Sequence, residues 1–118
     1  MTDTPSRRVL ILLLRSPEWT PYNTVLRLAD ALLAEGCKVT HFLMDDAVLG
    51  LVPPHGKAPG SALLAPLLSR GAEVAVCQST AEIRGLGPDD LPPGARFETQ
   101  VQLGHLAGIV DLFLPFVN

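Results

Sequence analysis

The sequence is poor in the residues that most site chemistries need. It has two cysteines, Cys37 and Cys77, far apart in the chain, and three histidines, His41, His55 and His105, just as scattered. None has the spacing of a zinc site, so no metal is expected, and nothing reads as a secreted disulfide scaffold. Lys and Arg number nine, with only Arg7 and Arg8 adjacent. Without a basic stripe to neutralise phosphates, nucleic acid is not an expected partner. The longest apolar run, residues 9–14, is too short to cross a bilayer, and the polar MTDTPSRR that precedes it has no signal-peptide shape. No membrane partner is expected, and a reducing, cytoplasmic setting follows by elimination. Charge is scarce too, at 18% of residues, few for a monomer that must cover its own surface. That scarcity points to apolar surface buried between subunits.

What is present suits one small α/β domain, residues 8–118, behind a flexible tail of residues 1–7. The 118-residue length supports a single hydrophobic core. Residues 9–14, VLILLL, form a continuous aliphatic run, as a parallel strand buried on both faces requires. Thr20-Pro21 is a helix start, and Tyr22, Val25, Leu26, Ala29, Leu32 and Leu33 recur at three and four to give one apolar stripe ended by Gly36. A second strand follows at 37–43, with Val39, His41 and Leu43 pointing one way. Asp45 caps a short helix to Leu51. Residues 61–70 read as a helix that Pro66 either shortens or kinks. Residues 73–77 form a third strand, Ser79 or Thr80 caps a short helix to Arg84, and 87–94 is a proline- and glycine-rich loop. The last helix is expected at 103–114, with Pro115 ending it. Strand alternating with helix predicts right-handed crossovers onto a mostly parallel sheet: a three-layer α/β/α sandwich, flavodoxin- or Rossmann-like.

Ligands of such sheets gather at the carboxyl ends of the strands. The loops there offer Ser16, Trp19, Asp45, Asp46, Cys77, Gln78, Ser79 and Thr80. Cys77 has the widest chemical reach, because a thiol before a helix start meets backbone N–H groups that favour the thiolate. From the residues alone, the more common use of such a cysteine, as a small buried hydrophobe, carries the greater weight. Cys37, beside a helix-ending glycine at the other end of a strand, reads as packing. Arg84 could draw an anion towards Cys77, and His105 could line a cleft. The loop after the first strand, Arg15 to Thr20, has no glycine, so neither a phosphate cradle nor a dinucleotide site is built there, and no cofactor is expected.

The ordered combination of RRVLILLLRSPEWTPYNTVLRLADALLAEGCKVTHFLMDDAVLGLV and LLSRGAEVAVCQSTAEIRGL resembles the DsrE/DsrF-like family. FLMDDAV and VCQSTAEIRGL stand at the right separation, and the likeness runs from Arg8 to about Leu114. The resemblance implies an α/β/α subunit that assembles as a trimer or hexamer. It implies a sulfur-relay role in which Cys77 carries a persulfide between protein partners, with Arg84-Gly85 and Asp45 on family positions. A non-catalytic ligand-binding or structural homo-oligomer is the alternative. Thr80 stands where related members often have a second cysteine, so a C-x-x-C redox pair is excluded. The family's final strand is expected to be missing or replaced.

Overall fold

The structure, a computed structural model, describes residues 6–117. Most of the expected tail lies outside the described residues. Arg7 already belongs to the sheet ladder, its carbonyl accepting the Lys38 N–H at 2.8 Å. In chain order the elements are β1 (Arg8–Leu13), α1 (Pro21–Ala34), β2 (Lys38–Leu43), a 3-10 helix (Asp45–Leu51), α2 (Ala65–Ser69), β3 (Glu73–Cys77), α3 (Gln78–Ile83), a 3-10 turn (Pro88–Asp90), β4 (Ala95–Glu98), α4 (Gln100–Ile109) and β5 (Leu112–Phe116). The five strands pair in the order β4-β3-β2-β1-β5, and every pairing is parallel.

Register sorts the side chains between two faces. Val9, Ile11 and Leu13 of β1 align with Val39, His41 and Leu43 of β2, and the last two of these with Val74 and Val76 of β3. These residues face α1, whose Tyr22, Val25, Leu26 and Ala29 are buried at helical spacing. Each large side chain buried there is worth about 1.5–3 kcal/mol. Gly36, at φ +88°, takes the left-handed turn between α1 and β2, which a side chain would strain. The opposite face carries Leu10, Leu12, Phe42, Ala75 and Cys77. It is covered by α4 through Leu103, Leu106 and Ala107, yet no residue of α4 is itself fully buried.

The two-sided arrangement follows from handedness. The chain steps one way across the sheet from β1 to β4 and returns in a single crossover from β4 to β5. Right-handed connections therefore place the early helices on one face and α4 on the other. The three-layer α/β/α sandwich read from the sequence is the observed fold.

Several element boundaries differ from the sequence reading. The family's final strand is present: β5 pairs with β1 from Val9↔Leu112 to Leu13↔Phe116. The last helix accordingly spans Gln100–Ile109 rather than 103–114. Thr99 is its true cap, accepting the Gln102 N–H at 3.1 Å, and Val110 is already extended. Leucines and phenylalanines at 112–116 fit a helical stripe and a strand equally well. Pairing with β1 selects the strand, and Pro115 is compatible with it because β5 lies at the sheet edge. Residues 95–98, left between a loop and a helix by the sequence reading, form the other edge strand, β4. Pro66 sits in the first turn of α2, which therefore begins at Ala65. Asp45 is not a cap. Met44 holds the extended position before the 3-10 helix, and Asp45 has φ +53°. Cys77 itself precedes α3, so Ser79 and Thr80 lie inside its first turn and do not cap it. Thr20 precedes α1 as expected but makes no side-chain cap bond.

Candidate functional site

β3 leads into α3 and β4 leads into α4, and these two helices leave the sheet towards opposite faces. Strands whose connections diverge in this way open a crevice at their carboxyl ends, the place where open α/β sheets bind ligands. A cleft of about 390 Å³ occupies it, lined by Gln78, Ser79 and Glu82 on one wall and by Thr99, Gln100 and Val101 on the other. The β4 wall escaped the sequence reading because β4 itself did. The signal available was Thr99, a hydroxyl residue before the Gln100 to Ile109 segment.

Cys77 lies beneath this crevice, next in the chain to Gln78 of its lining. Its side chain is fully buried, on the α4 face beside Ala75 and Phe42. Two exposed residues of the cleft walls reach its sulfur: the Ser79 hydroxyl lies 3.5 Å from Sγ, and Gln100 Nε2 donates to Sγ at 3.8 Å. The sulfur is thus one side chain away from solvent. Burial pushes the thiol up, but polar contacts with Ser79, Thr80 and Gln100 outweigh it and hold Cys77 below the usual thiol value. By register, Glu98 of β4 stands beside Cys77 on the same face, where Arg96 Nε holds its carboxylate at 2.7 Å.

Thr80 fixes the backbone under the sulfur. Its hydroxyl donates to the Cys77 carbonyl at 3.4 Å and accepts the Asp45 N–H at 3.1 Å. Arg84 completes the frame, with NH1 on the Thr80 carbonyl at 3.0 Å and NH2 on Asp46 Oδ1 at 2.9 Å. Asp45, Asp46, Thr80 and Arg84 therefore staple the turn after β2 to α3. The Arg84 guanidinium is committed to that staple.

The remaining sequence candidates lie elsewhere. Ser16 and Trp19 belong to the β1–α1 loop, where Trp19 packs on the α1-side core under the Arg15 guanidinium, 5.3 Å from the ring centroid. The Ser16 carbonyl accepts the Trp19 N–H at 2.9 Å. His105 is exposed on α4, away from the cleft lining. Cys37 is half-buried just before β2, at the opposite edge of the sheet from Cys77.

A three-layer α/β/α fold on a five-stranded parallel sheet defines the class of protein. The chain belongs to the DsrE/DsrF-like family, whose pattern it matches over residues 7–114. Among solved structures it is similar to the YchN protein of E. coli, at 25% identity and a TM-score of 0.77, over 93% of this chain and 99% of that one. It is also similar to a protein of unknown function from Bacteroides thetaiotaomicron, at 16% identity and TM-score 0.74, over 93% of this chain and 95% of that one. A third likeness is to a protein of unknown function from Methanobacterium thermoautotrophicum, at 15% identity and TM-score 0.73, over 94% and 100% of the two chains. No functionally curated protein matches the sequence. Among the described residues, no helix is long and apolar enough to cross a membrane.

Proposed function

We propose that Cys77 is a sulfur carrier, taking sulfane sulfur from one protein partner and handing it to another, in the cytoplasm and without metal or nucleotide. The observation that carries this reading is the polar environment of one buried sulfur: Ser79 and Gln100 bond it beneath a switch-point cleft, and with Thr80 they hold its pKa down. In the loading step the Cys77 thiolate attacks the outer sulfur of a donor persulfide, R–S–SH. A Cys77–S–SH bond forms, the donor S–S bond breaks, and the donor leaves as its thiolate. In the unloading step an acceptor thiolate attacks the outer sulfur of Cys77–S–SH and regenerates the Cys77 thiolate. Thr80, in place of a second cysteine, leaves nothing at that position to convert the persulfide into a disulfide.

The subunit is proposed to work as a homo-oligomer, a trimer or hexamer. Helix α4 has no fully buried residue although Leu103, Leu106 and Ile109 make it apolar, and Phe113 of β5, on the same face as Leu10 by register, is 39% exposed. Both edge strands, β4 and β5, are open to pairing or covering. Light scattering at micromolar concentration is expected to give a multiple of the 12.6 kDa subunit.

Incubation with a persulfide donor followed by intact mass measurement tests the carrier reading. A gain of one sulfur is expected, lost in Cys77→Ser and kept in Cys37→Ser. The complete burial of Cys77 favours a second reading, a ligand-binding or structural oligomer with an inert thiol. Absence of the adduct, or an adduct on Cys37, would establish that reading instead.

A further inference from the structure

A cavity of about 510 Å³ lies at the amino edge of the sheet, the opposite end from Cys77. Its size is that of a small-molecule site. We propose that it binds a small organic anion, a carboxylate head on an apolar body. Arg8 and Lys38 line it as register partners on adjacent strands, both on the α4 face and both exposed. Like charges set side by side across strands repel and weaken the pairing unless a counter-charge bridges them.

Among the described residues, neither side chain has a carboxylate partner. Glu73, the one acid in the lining, is committed to the Thr40 hydroxyl at 3.1 Å and to Arg96 at 3.5 Å. Asp111 places a carboxylate oxygen on the backbone N–H of Arg8 at 2.8 Å, not on its guanidinium. The C-termini of α1, α2 and α4 also end at this edge, and their negative ends call for some positive charge. Arg70, at the end of α2 and paired with Asp30 at 2.7 Å, meets part of that demand. Arg8 and Lys38 sit instead at the starts of strands, facing the apolar last turn of α4. Ile109, 43% exposed, belongs to that wall. The pair of cations recognises the head of the ligand, and the α4 wall takes its body.

Octanoate is the probe, followed by amide chemical shifts of the full chain. Saturable shifts are expected at Lys38, Val39 and Ile109. Octanol, which lacks the charge, and acetate, which lacks the body, should each bind at least about tenfold more weakly. Lys38→Gln and Arg8→Gln should each weaken octanoate by about tenfold, and added salt should weaken it further. Octanol binding as tightly as octanoate would overturn the proposal. So would affinity unchanged in both variants, or the absence of saturable shifts. Should Arg8→Gln fail to fold, Lys38→Gln and the salt dependence decide alone. Sulfur loading at Cys77 is a separate readout and bears only on the carrier reading.

Discussion

The two faces of the sheet are built to different standards. On the α1 face, Ile11, Leu13, Leu43, Val74 and Val76 are completely sealed, and Tyr22 is buried with its hydroxyl donating to the Ala47 carbonyl at 3.2 Å. On the α4 face one ten-residue helix, with no residue of its own fully buried, covers a smaller apolar cluster that contains Cys77. The first face holds the fold together. The second leaves the thiol one side chain from solvent and apolar surface uncovered, so the proposed chemistry and association both fall on the more thinly covered side.

The largest effect should come from truncating the two faces in turn. Leu13→Ala, on the sealed face, should cost about 2–5 kcal/mol in urea unfolding. Leu106→Ala on α4 should cost well under half as much in the isolated subunit. Equal costs would show that the α4 layer is as tightly packed as the α1 layer.

His41 is the exception within the sealed face. It is fully buried, and neither ring nitrogen has a hydrogen-bond partner among the described residues. Burial lowers its pKa to about 4, so the folded protein holds it neutral while the unfolded chain protonates it near pH 6.5. Between those values the unfolded state binds more protons, so stability is fully present above pH 6.5 and falls as pH drops towards 4. The loss across that window should reach about 3 kcal/mol. His41→Leu should remove this acid limb and raise stability at neutral pH by roughly 1–3 kcal/mol. An acid limb unchanged in His41→Leu would assign it to other groups.

On the α4 face, Ser79→Ala and Gln100→Ala should each raise the pH at which Cys77 becomes reactive towards an alkylating agent, since each removes a bond that favours the thiolate. Stability should change little, as both residues are exposed. Cys77 should react ahead of Cys37, as peptide mass spectrometry of the alkylated chain would show. Equal labelling would count against an activated thiol.

The smallest effect belongs to the staple between the turn after β2 and α3. Its Arg84–Asp46 pair has side chains 26% and 61% exposed, so Arg84→Ala should cost no more than about 1 kcal/mol. It should also leave sulfur loading at Cys77 intact. Loss of loading in this variant would give Arg84 a part at the sulfur itself.

The sequence was most legible where local chemistry and burial agree. The aliphatic β1, the α1 stripe between Pro21 and Gly36, and the junction of β3 with α3 at Cys77 could all be read directly. It was least legible at the two edges. The four residues of β4 are all half-buried and alternate between Ala95 or Phe97 and the charged Arg96 or Glu98, too short a signal to separate from loop. At β5 the apolar residues suit both periods, and only pairing with β1 selects the strand. Because β4 was missed, so was half of the site: Ser79 was visible as a neighbour of Cys77, whereas Gln100 and Glu98 reach it only through strand pairing. Asp45 and Arg84 lie at the turns after β2 and α3, but which groups they bond is decided by tertiary contacts that no spacing encodes.

The strand order has a consequence for the nascent chain. β1 leaves the ribosome first of the five strands, and β5, its outer neighbour, leaves last. Hydrogen bonds between them join residues as far apart as Arg8 and Asp111. Until β5 arrives, a strand reading VLILL presents an unpaired edge of the kind that recruits other chains. Synthesis therefore passes through a four-stranded stage in which the most aliphatic segment of the molecule is the one least protected. Deletion of β5 should hold the chain at that stage and send it into aggregates.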